Sequence, residues 1–380
     1  MTSADVHKAG RLAATLSTVG PDTVFSYLPG YDGPAVATTL PLGTTVTRPG
    51  RSLPPFFTNL LPEGRRLSAL QREVKTSGDD ELSLLLAVGS DPIGDVQVLP
   101  AGEAPSRPEP VVDGDGELDF QTLLAEHGID PVAIPGAQDK LSAGMITLPG
   151  RARGGGPAIV KLTPPDYPFA VENEAHFLRT ARGLRLPVAA ASVVTDVRGA
   201  RGLVVSRFDR DDGPKAVEDG CQLLGRYSSD KYLLSGEEVA DAVAGVCAAR
   251  AVALRNVFLQ FMYAWLIGNG DLHAKNLSVL QSAGGEWQVA PIYDVLSTLP
   301  YGDHTMALSM GGRTAGFTRK HLLDFGLAIG LPEAAATRAL DLALAATEGV
   351  DASLDALPFD ENMLRDLRRQ LARRRRDAQA

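Results

Sequence analysis

The first hundred residues alternate short apolar runs with Gly and Pro punctuation, the pattern of strands joined by tight turns. Residues 23–27 and 96–99 are such runs. The segment PPFFTNLLPEG (54–64) predicts an exposed start, and RRLSALQREV after it predicts a helix. ELSLLLAVGSDPIGDVQVLP predicts a helix ending at Gly89, then a turn and a strand. Residues 101–117, AGEAPSRPEPVVDGDGE, are rich in Pro, Gly and acid and predict a linker or exposed loop.

From about 118 to 235 the pattern turns α/β. A loop (IPGAQDK), a strand (LSAGMITL), a Gly-rich turn, a strand (AIVKL), a helix (ENEAHFLRTARGL) and two further strands (ASVVTDV, GLVVSRF) follow one another. From about 236 helical periodicity dominates, in GEEVADAVAGVCAA, NVFLQFMYAWLIGN and AAATRALDLALAAT, with no internal repeat. Three units are expected, 1–105, 106–235 and 236–380: a β-rich N-terminal subdomain, a small lobe and an all-helical large lobe. The expected fold class is α+β, a sheet-bearing part followed by a helical part.

Composition narrows the picture. At 380 residues the chain exceeds one small core, and its 44% apolar and 22% charged content is ordinary for a globular protein. The net charge of −9 gives the whole molecule no attraction to nucleic acid. The C-terminal run Arg368, Arg369, Arg373, Arg374, Arg375 and Arg376 reads most plainly as a solvated helix end, and alternatively as a local basic patch. Cys221 and Cys247 are too few for a disulfide framework or zinc cluster, which suits a reducing compartment. The start, MTSADVHKAG, lacks a signal pattern, and the apolar stretch 257–267 is shorter than the ~20 residues a bilayer needs. A cytoplasmic location without membrane contact is the expectation.

The chemistry concentrates in Gly268-Asn-Gly-Asp271-Leu-His273-Ala-Lys275-Asn276, between an apolar helix and a strand-like run. Phosphoryl transfer needs a carboxylate to take the attacking hydroxyl's proton and oxygen ligands to hold Mg²⁺. Asp271 and Asn276 stand at the Asp-x-x-x-x-Asn spacing that serves this in kinases, although both residue types also suit a turn. Downstream, Asp294 sits inside the apolar run PIYDV; such an acid needs a metal or donors, or else caps a helix starting at Val295. Upstream, Lys161 ends the strand AIVKL and Glu174 follows thirteen residues later on a helix, the order of a kinase's phosphate lysine and its partner. Pro135, Gly136, Ala137, Gln138, Asp139 and Lys140 offer a phosphate-covering loop that is not a Walker loop.

Taken in order, GAQDK, AIVKL, ENEAHFL, VVSRFDR, WLIGNGDLHAKNLSV and PIYDVLST, with NLLPEG and GSDPIGDV before them, resemble the HipA family of bacterial toxin kinases from about residue 20 to 330. The resemblance implies an atypical bilobal kinase fold and an ATP- and Mg²⁺-dependent serine/threonine protein kinase. It also implies a toxin that pairs with a helix-turn-helix, HipB-like antitoxin and touches DNA only through that complex. Its protein substrate would be translation-related, such as an aminoacyl-tRNA synthetase. By position, Asp271 matches the catalytic base, Asn276 and Asp294 the metal ligands, and Lys161 with Glu174 the phosphate pair. Ser206, Arg207 and Phe208 match the adenine hinge, while His273, Lys275 and Tyr293 accompany the nucleotide-binding loops.

The chain departs from the family at several places. Ala133 replaces a serine whose phosphorylation silences the kinase, and Ser142 is a different position. Val217-Glu218-Asp219 stands where Gln-Glu-Asp is common, and Ser206 where Glu is frequent. Two other readings share part of the site: a small-molecule phosphotransferase of the aminoglycoside or homoserine kinase type, and a weakly active co-repressor module. The N-terminal motifs argue against the first, and the complete set of acids and lysine against the second.

Overall fold

The computed structural model describes residues 2–76, 78, 80–106, 112–113, 117–126, 145–152 and 155–380. The N-terminal unit is an antiparallel sheet of β1 (Ser3–Lys8), β2 (Arg11–Val19), β3 (Asp22–Tyr27), β4 (Thr45–Arg48) and β5 (Val96–Pro100), in the order β4-β3-β2-β1-β5. Its apolar face, including Ala14, Leu16, Phe25 and Val98, is closed by α1 (Pro55–Thr58) and α3 (Glu81–Val88), and α2 (Gly64–Val74) packs on α3. One expectation is corrected here. Residues 53–60 are all buried, because Phe56, Phe57 and Leu60 fill the space under the sheet.

The second sheet runs β6 (Val112–Asp113), β7 (Ile146–Arg151), β8 (Pro157–Leu162), β10 (Arg201–Ser206) and β9 (Ala191–Thr195), with β6 parallel to β7 and the other pairs antiparallel. Helix α4 (Phe120–Glu126) covers one face, packing Phe120 and Leu124 on Leu148, Val160 and Val204. Strand alternation turns the neighbours of these residues, Lys161 and Leu203 among them, to the opposite face. There α5 (Ala170–Ala181) packs Val171 and Phe177 into the main core. The stretch 101–117 is not wholly a loose linker, since Val112 is buried beneath α4.

The remainder is built around α8 (Arg250–Ile267), buried from Val257 to Ile267, with α6 (Gly220–Leu223) and α7 (Gly236–Val246) before it. After it come α9 (Arg319–Ala328), α10 (Glu333–Ala346), α11 (Val350–Ser353) and α12 (Glu361–Gln379). This part is not all-helical. The antiparallel strands β11 (Val217–Asp219), β12 (Ser278–Gln281) and β13 (Trp287–Val289) form a small sheet next to residues 268–276.

The arginine run on α12 is partly solvated, with Arg369, Arg373 and Arg376 exposed, and partly structural. Arg374 is buried, stacks 3.9 Å from the Trp265 ring centroid, and donates to the carbonyls of Trp265 (2.9 Å) and His304 (2.7 Å). Arg375 donates to Leu344 O at 2.7 Å, and Arg368 and Arg369 pair with Asp355 and Asp366. No helix among the described residues is long and apolar enough to cross a membrane.

The N-terminal unit is bolted to the rest by ions. Arg207 and Arg210 both grip Asp91, at 2.7 and 2.8 Å, and the buried Asp209 accepts from both arginines and from Gly94 N. Glu218 accepts from the Thr38 hydroxyl (2.6 Å) and backbone N–H (2.8 Å).

Candidate active site

Helix α8 ends because Gly268 adopts φ 70°, the left-handed cap that side chains resist; a Cβ there would meet Leu299 at 2.3 Å. The chain then turns tightly into the candidate segment 269–276. Asn269 Oδ1 accepts from Asp271 N at 2.8 Å, and Asn276 Nδ2 returns to donate to Asp271 O at 2.9 Å. The Asp-x-x-x-x-Asn spacing thus closes a loop in which the two residues fix each other. The Tyr232 hydroxyl donates to Asp271 Oδ1 at 3.0 Å.

The segment 293–298 is stitched to this loop. Tyr293 donates its single hydroxyl proton to Lys275 O at 2.6 Å, so the 2.6 Å contact with Ser278 is donated by the serine. Thr298 N donates to Gly268 O, and the Thr298 hydroxyl accepts from Gly270 N, both at 2.8 Å. On α5, Asn173 clamps the Ser297 backbone from both sides, at 2.8 and 3.0 Å. Asp294 lies between these anchors at φ 56°, a left-handed conformation that a non-glycine residue holds only where its surroundings impose it. No helix starts at Val295, so the capping role offered for Asp294 falls away.

Lys161 joins the two lobes. From β8 its ammonium donates to Glu174 Oε1 at 2.7 Å and to Asp294 Oδ1 at 2.6 Å. Burial alone would lower the lysine's pKa, but the carboxylates of Asp294 and Glu174 outweigh it and hold the pKa above the ordinary range. Two acids facing one cation leave a surplus negative charge. Burial, opposed by Lys161 and reinforced by Asp294, pushes the Glu174 carboxyl up to about 7, so Glu174 is the acid of the two that takes up a proton first and sheds that surplus. Asp294 stays below its usual value, since Lys161 overcomes its desolvation.

Asn276 and Asp294 line a cavity of about 250 Å³ together with His273, Lys275 and Tyr293. Its other walls include Asp219 and, from the N-terminal unit, Asn59, Glu63 and Ile93. The hard amide and carboxylate oxygens of Asn276 and Asp294 suit a divalent ion such as Mg²⁺. Such an ion takes few protein ligands and completes its shell with water and phosphate oxygens. Among the described residues no group of three or more His, Cys, Asp or Glu able to hold a metal occurs.

The hinge residues divide. Ser206 N and Arg207 N are spent on Ala190 O and Pro157 O, and the Arg207 guanidinium turns away to Asp91 and Asp209. The Arg207 side chain is therefore a clamp, which corrects its assignment to the nucleotide. Phe208 does reach inward, its ring 5.6 Å from that of Tyr293. Lys275, placed with the nucleotide by position, instead engages Glu63 (2.9 Å) and Asn59 O (3.0 Å). Pro135, Gly136, Ala137, Gln138, Asp139 and Lys140, together with Ala133 and Ser142, lie outside the described residues. Tyr232 and Glu63 escape sequence reasoning, because nothing local in KYLL or LPEG points to a loop far along the chain.

Two buried groups give opposite pH signatures. Glu174 holds its proton to about 7, against the usual 4.5, so its contribution to stability is full below 4.5 and is lost as pH rises towards 7. Burial lowers His273 to about 4 from 6.5; its unfolded state binds the proton first, and stability is lost as pH falls through that interval. In urea titrations across this range, Glu174→Gln should flatten the decline on the alkaline side and His273→Asn the decline on the acid side. Three parallel curves would contradict both assignments.

A small sheet-bearing lobe set over a largely helical one, with a further β-rich unit packed against both, is the fold of an atypical, bilobal kinase. The HipA N-terminal domain family matches residues 4–99, and the HipA-like C-terminal domain family matches 132–350. Y4dM of Sinorhizobium fredii, which carries a kinase name, is 30% identical over 342 residues, covering 81% of either chain. The serine/threonine-protein kinase toxin HipA of Shewanella oneidensis is 29% identical over 303 residues, covering 72% of this chain and 69% of that protein. A chain from the complex of HipA, HipB and operator DNA of Shewanella oneidensis MR-1 superposes with a TM-score of 0.80. At 21% identity, that match covers 98% of this chain and 96% of the other. The chain belongs to the HipA family of kinases.

Proposed function

We propose that the protein transfers the γ-phosphoryl group of ATP to a serine or threonine hydroxyl of a protein, and that it is the toxin of a toxin–antitoxin pair. The observation that carries the chemistry is the reach of Lys161 across the cleft to Asp294, beside a loop in which Asn276 and Asp271 lock one another. In this reading Asp271 receives the acceptor hydroxyl's proton. The acceptor oxygen bonds to the γ-phosphorus as the bond to the β-phosphate oxygen breaks, and ADP leaves with that electron pair. Lys161 orients the α- and β-phosphates, and Glu174 holds Lys161 extended from β8. Asn276 and Asp294 would hold Mg²⁺, which when bound neutralises charge on the phosphates. Tyr232 keeps the Asp271 carboxylate aimed.

The partner reading rests on family membership and on a relative solved with HipB and operator DNA. A HipB-like, helix-turn-helix antitoxin is the partner expected, with DNA reached through it, and an aminoacyl-tRNA synthetase is one candidate substrate. The test is γ-labelled ATP with Mg²⁺ in a cell lysate. Labelled protein bands support the reading, whereas label only in small metabolites supports a small-molecule phosphotransferase and overturns it. ATP with Mg²⁺ at about a hundredfold excess over Kd should also raise the melting temperature by roughly 5 °C. No shift at millimolar ATP would remove the nucleotide site.

A further inference from the structure

Glu63 belongs to the N-terminal unit, yet it stands at the centre of a charge cluster beneath the catalytic loop. Its Oε1 accepts from the Ser228 hydroxyl at 2.5 Å and lies 2.9 Å from Lys275 Nζ, while Oε2 pairs with Lys231 Nζ. Lys275 is further held by Asn59 O at 3.0 Å and faces Asp219 at 4.0 Å. Asn59 itself donates to Arg226 O at 2.8 Å, so the N-terminal unit grips the segment 226–231 and the catalytic loop together. Both lysines are largely buried, with side chains 8% and 13% exposed. They precede two residues of the proposed site: Lys231 is followed by Tyr232, which bonds Asp271, and Lys275 by Asn276. The Lys231 carbonyl also accepts from Ala274 N, which ties the two segments a second time.

From this geometry we infer that Glu63 is a positioning residue for phosphoryl transfer, holding Tyr232–Asp271 and Lys275–Asn276 in register from outside the two kinase lobes. The inference rests on the kinase reading above. Physically, the Glu63 carboxylate sits between two buried cations that would otherwise repel each other across the loop, with Asp219 facing one of them. Without it the lysines separate, and the groups carried on the adjoining residues shift with them. Displacements of about 1 Å at reacting groups cost roughly a hundredfold in rate. The N-terminal unit is thus part of the catalytic apparatus.

The test compares the wild-type full chain with Glu63→Gln and Glu63→Asp, using γ-labelled ATP, Mg²⁺ and a serine/threonine acceptor protein labelled in lysate. Expected for Glu63→Gln is a kcat about a hundredfold lower, with the half-saturating ATP concentration changed less than threefold and part of the rate restored in Glu63→Asp. A purely structural salt link would instead lower the melting temperature and leave kcat per folded molecule near wild type, which overturns the inference. If Glu63→Gln fails to fold, Lys231→Gln combined with Glu63→Gln removes the unpaired charge on that side. A folded double variant with wild-type kcat then overturns the inference, and one with the same large loss supports it. Wild-type protein that transfers no phosphate overturns the kinase reading itself, and this inference with it. Active wild type with equally active variants overturns this inference alone.

Discussion

Asp271→Asn should give a folded protein that binds ATP with an undiminished thermal shift but transfers phosphate at least about a thousandfold more slowly, within the range lost when a general base is removed. Asparagine can still accept from Tyr232, and the backbone bonds to Asn269 and Asn276 do not involve the side chain exchanged. The loop should therefore keep its shape while losing the group that takes the proton. The same variant should abolish growth arrest in cells yet still bind the antitoxin. Arrest that survives the substitution would refute the toxin-kinase mechanism, and loss of the thermal shift would show that the loop had collapsed.

The second large effect concerns Lys161. Lys161→Ala leaves Glu174, with no side-chain exposure, facing Asp294 across the space the ammonium filled. Breaking a buried pair in this way costs about 3–5 kcal/mol, because the remaining charges lose compensation. The deficit should be largest near neutral pH and shrink on acidification, since protonating the two acids removes their repulsion. Nucleotide-dependent stabilisation should weaken too, for lack of the cation facing the phosphates. Urea unfolding of Lys161→Ala and of Lys161→Ala with Glu174→Gln measures this, and the double variant should recover part of the loss. A deficit below about 1 kcal/mol at pH 7 would mean that the lysine does not hold the two lobes' acids together.

Much of the site was legible because its parts are local. Asp271 and Asn276 share one turn, and their spacing is the geometry by which the amide reaches back to the aspartate's carbonyl. Lys161 on an apolar strand and Glu174 on the next helix are likewise brought together by a single β-to-α crossing. What stayed hidden depends on distant packing. The segment 54–60 reads as exposed from its prolines and asparagine, yet its apolar side chains fill the space under the sheet and Asn59 Nδ2 is spent on Pro55 O and Arg226 O. Val112 lies in a polar, Pro-rich stretch whose composition masks two residues that extend a sheet. Arg207 falls where the hinge belongs by position, but its side chain follows the charge of Asp91, more than a hundred residues earlier. Tyr232 carries no local signal, and Glu63, although inside the NLLPEG motif, carries none for the distant loop it meets.

The burial of Arg374 bears on how the chain tolerates trimming. Its guanidinium fastens the last helix to Trp265, three residues before the cap that opens the catalytic turn. A stretch that looks like a disposable polycationic tail is thus the rear bolt of the active-site loop. A proteolytic nick upstream of position 374 would loosen the loop after Gly268 from behind, without touching any residue that lines the cavity.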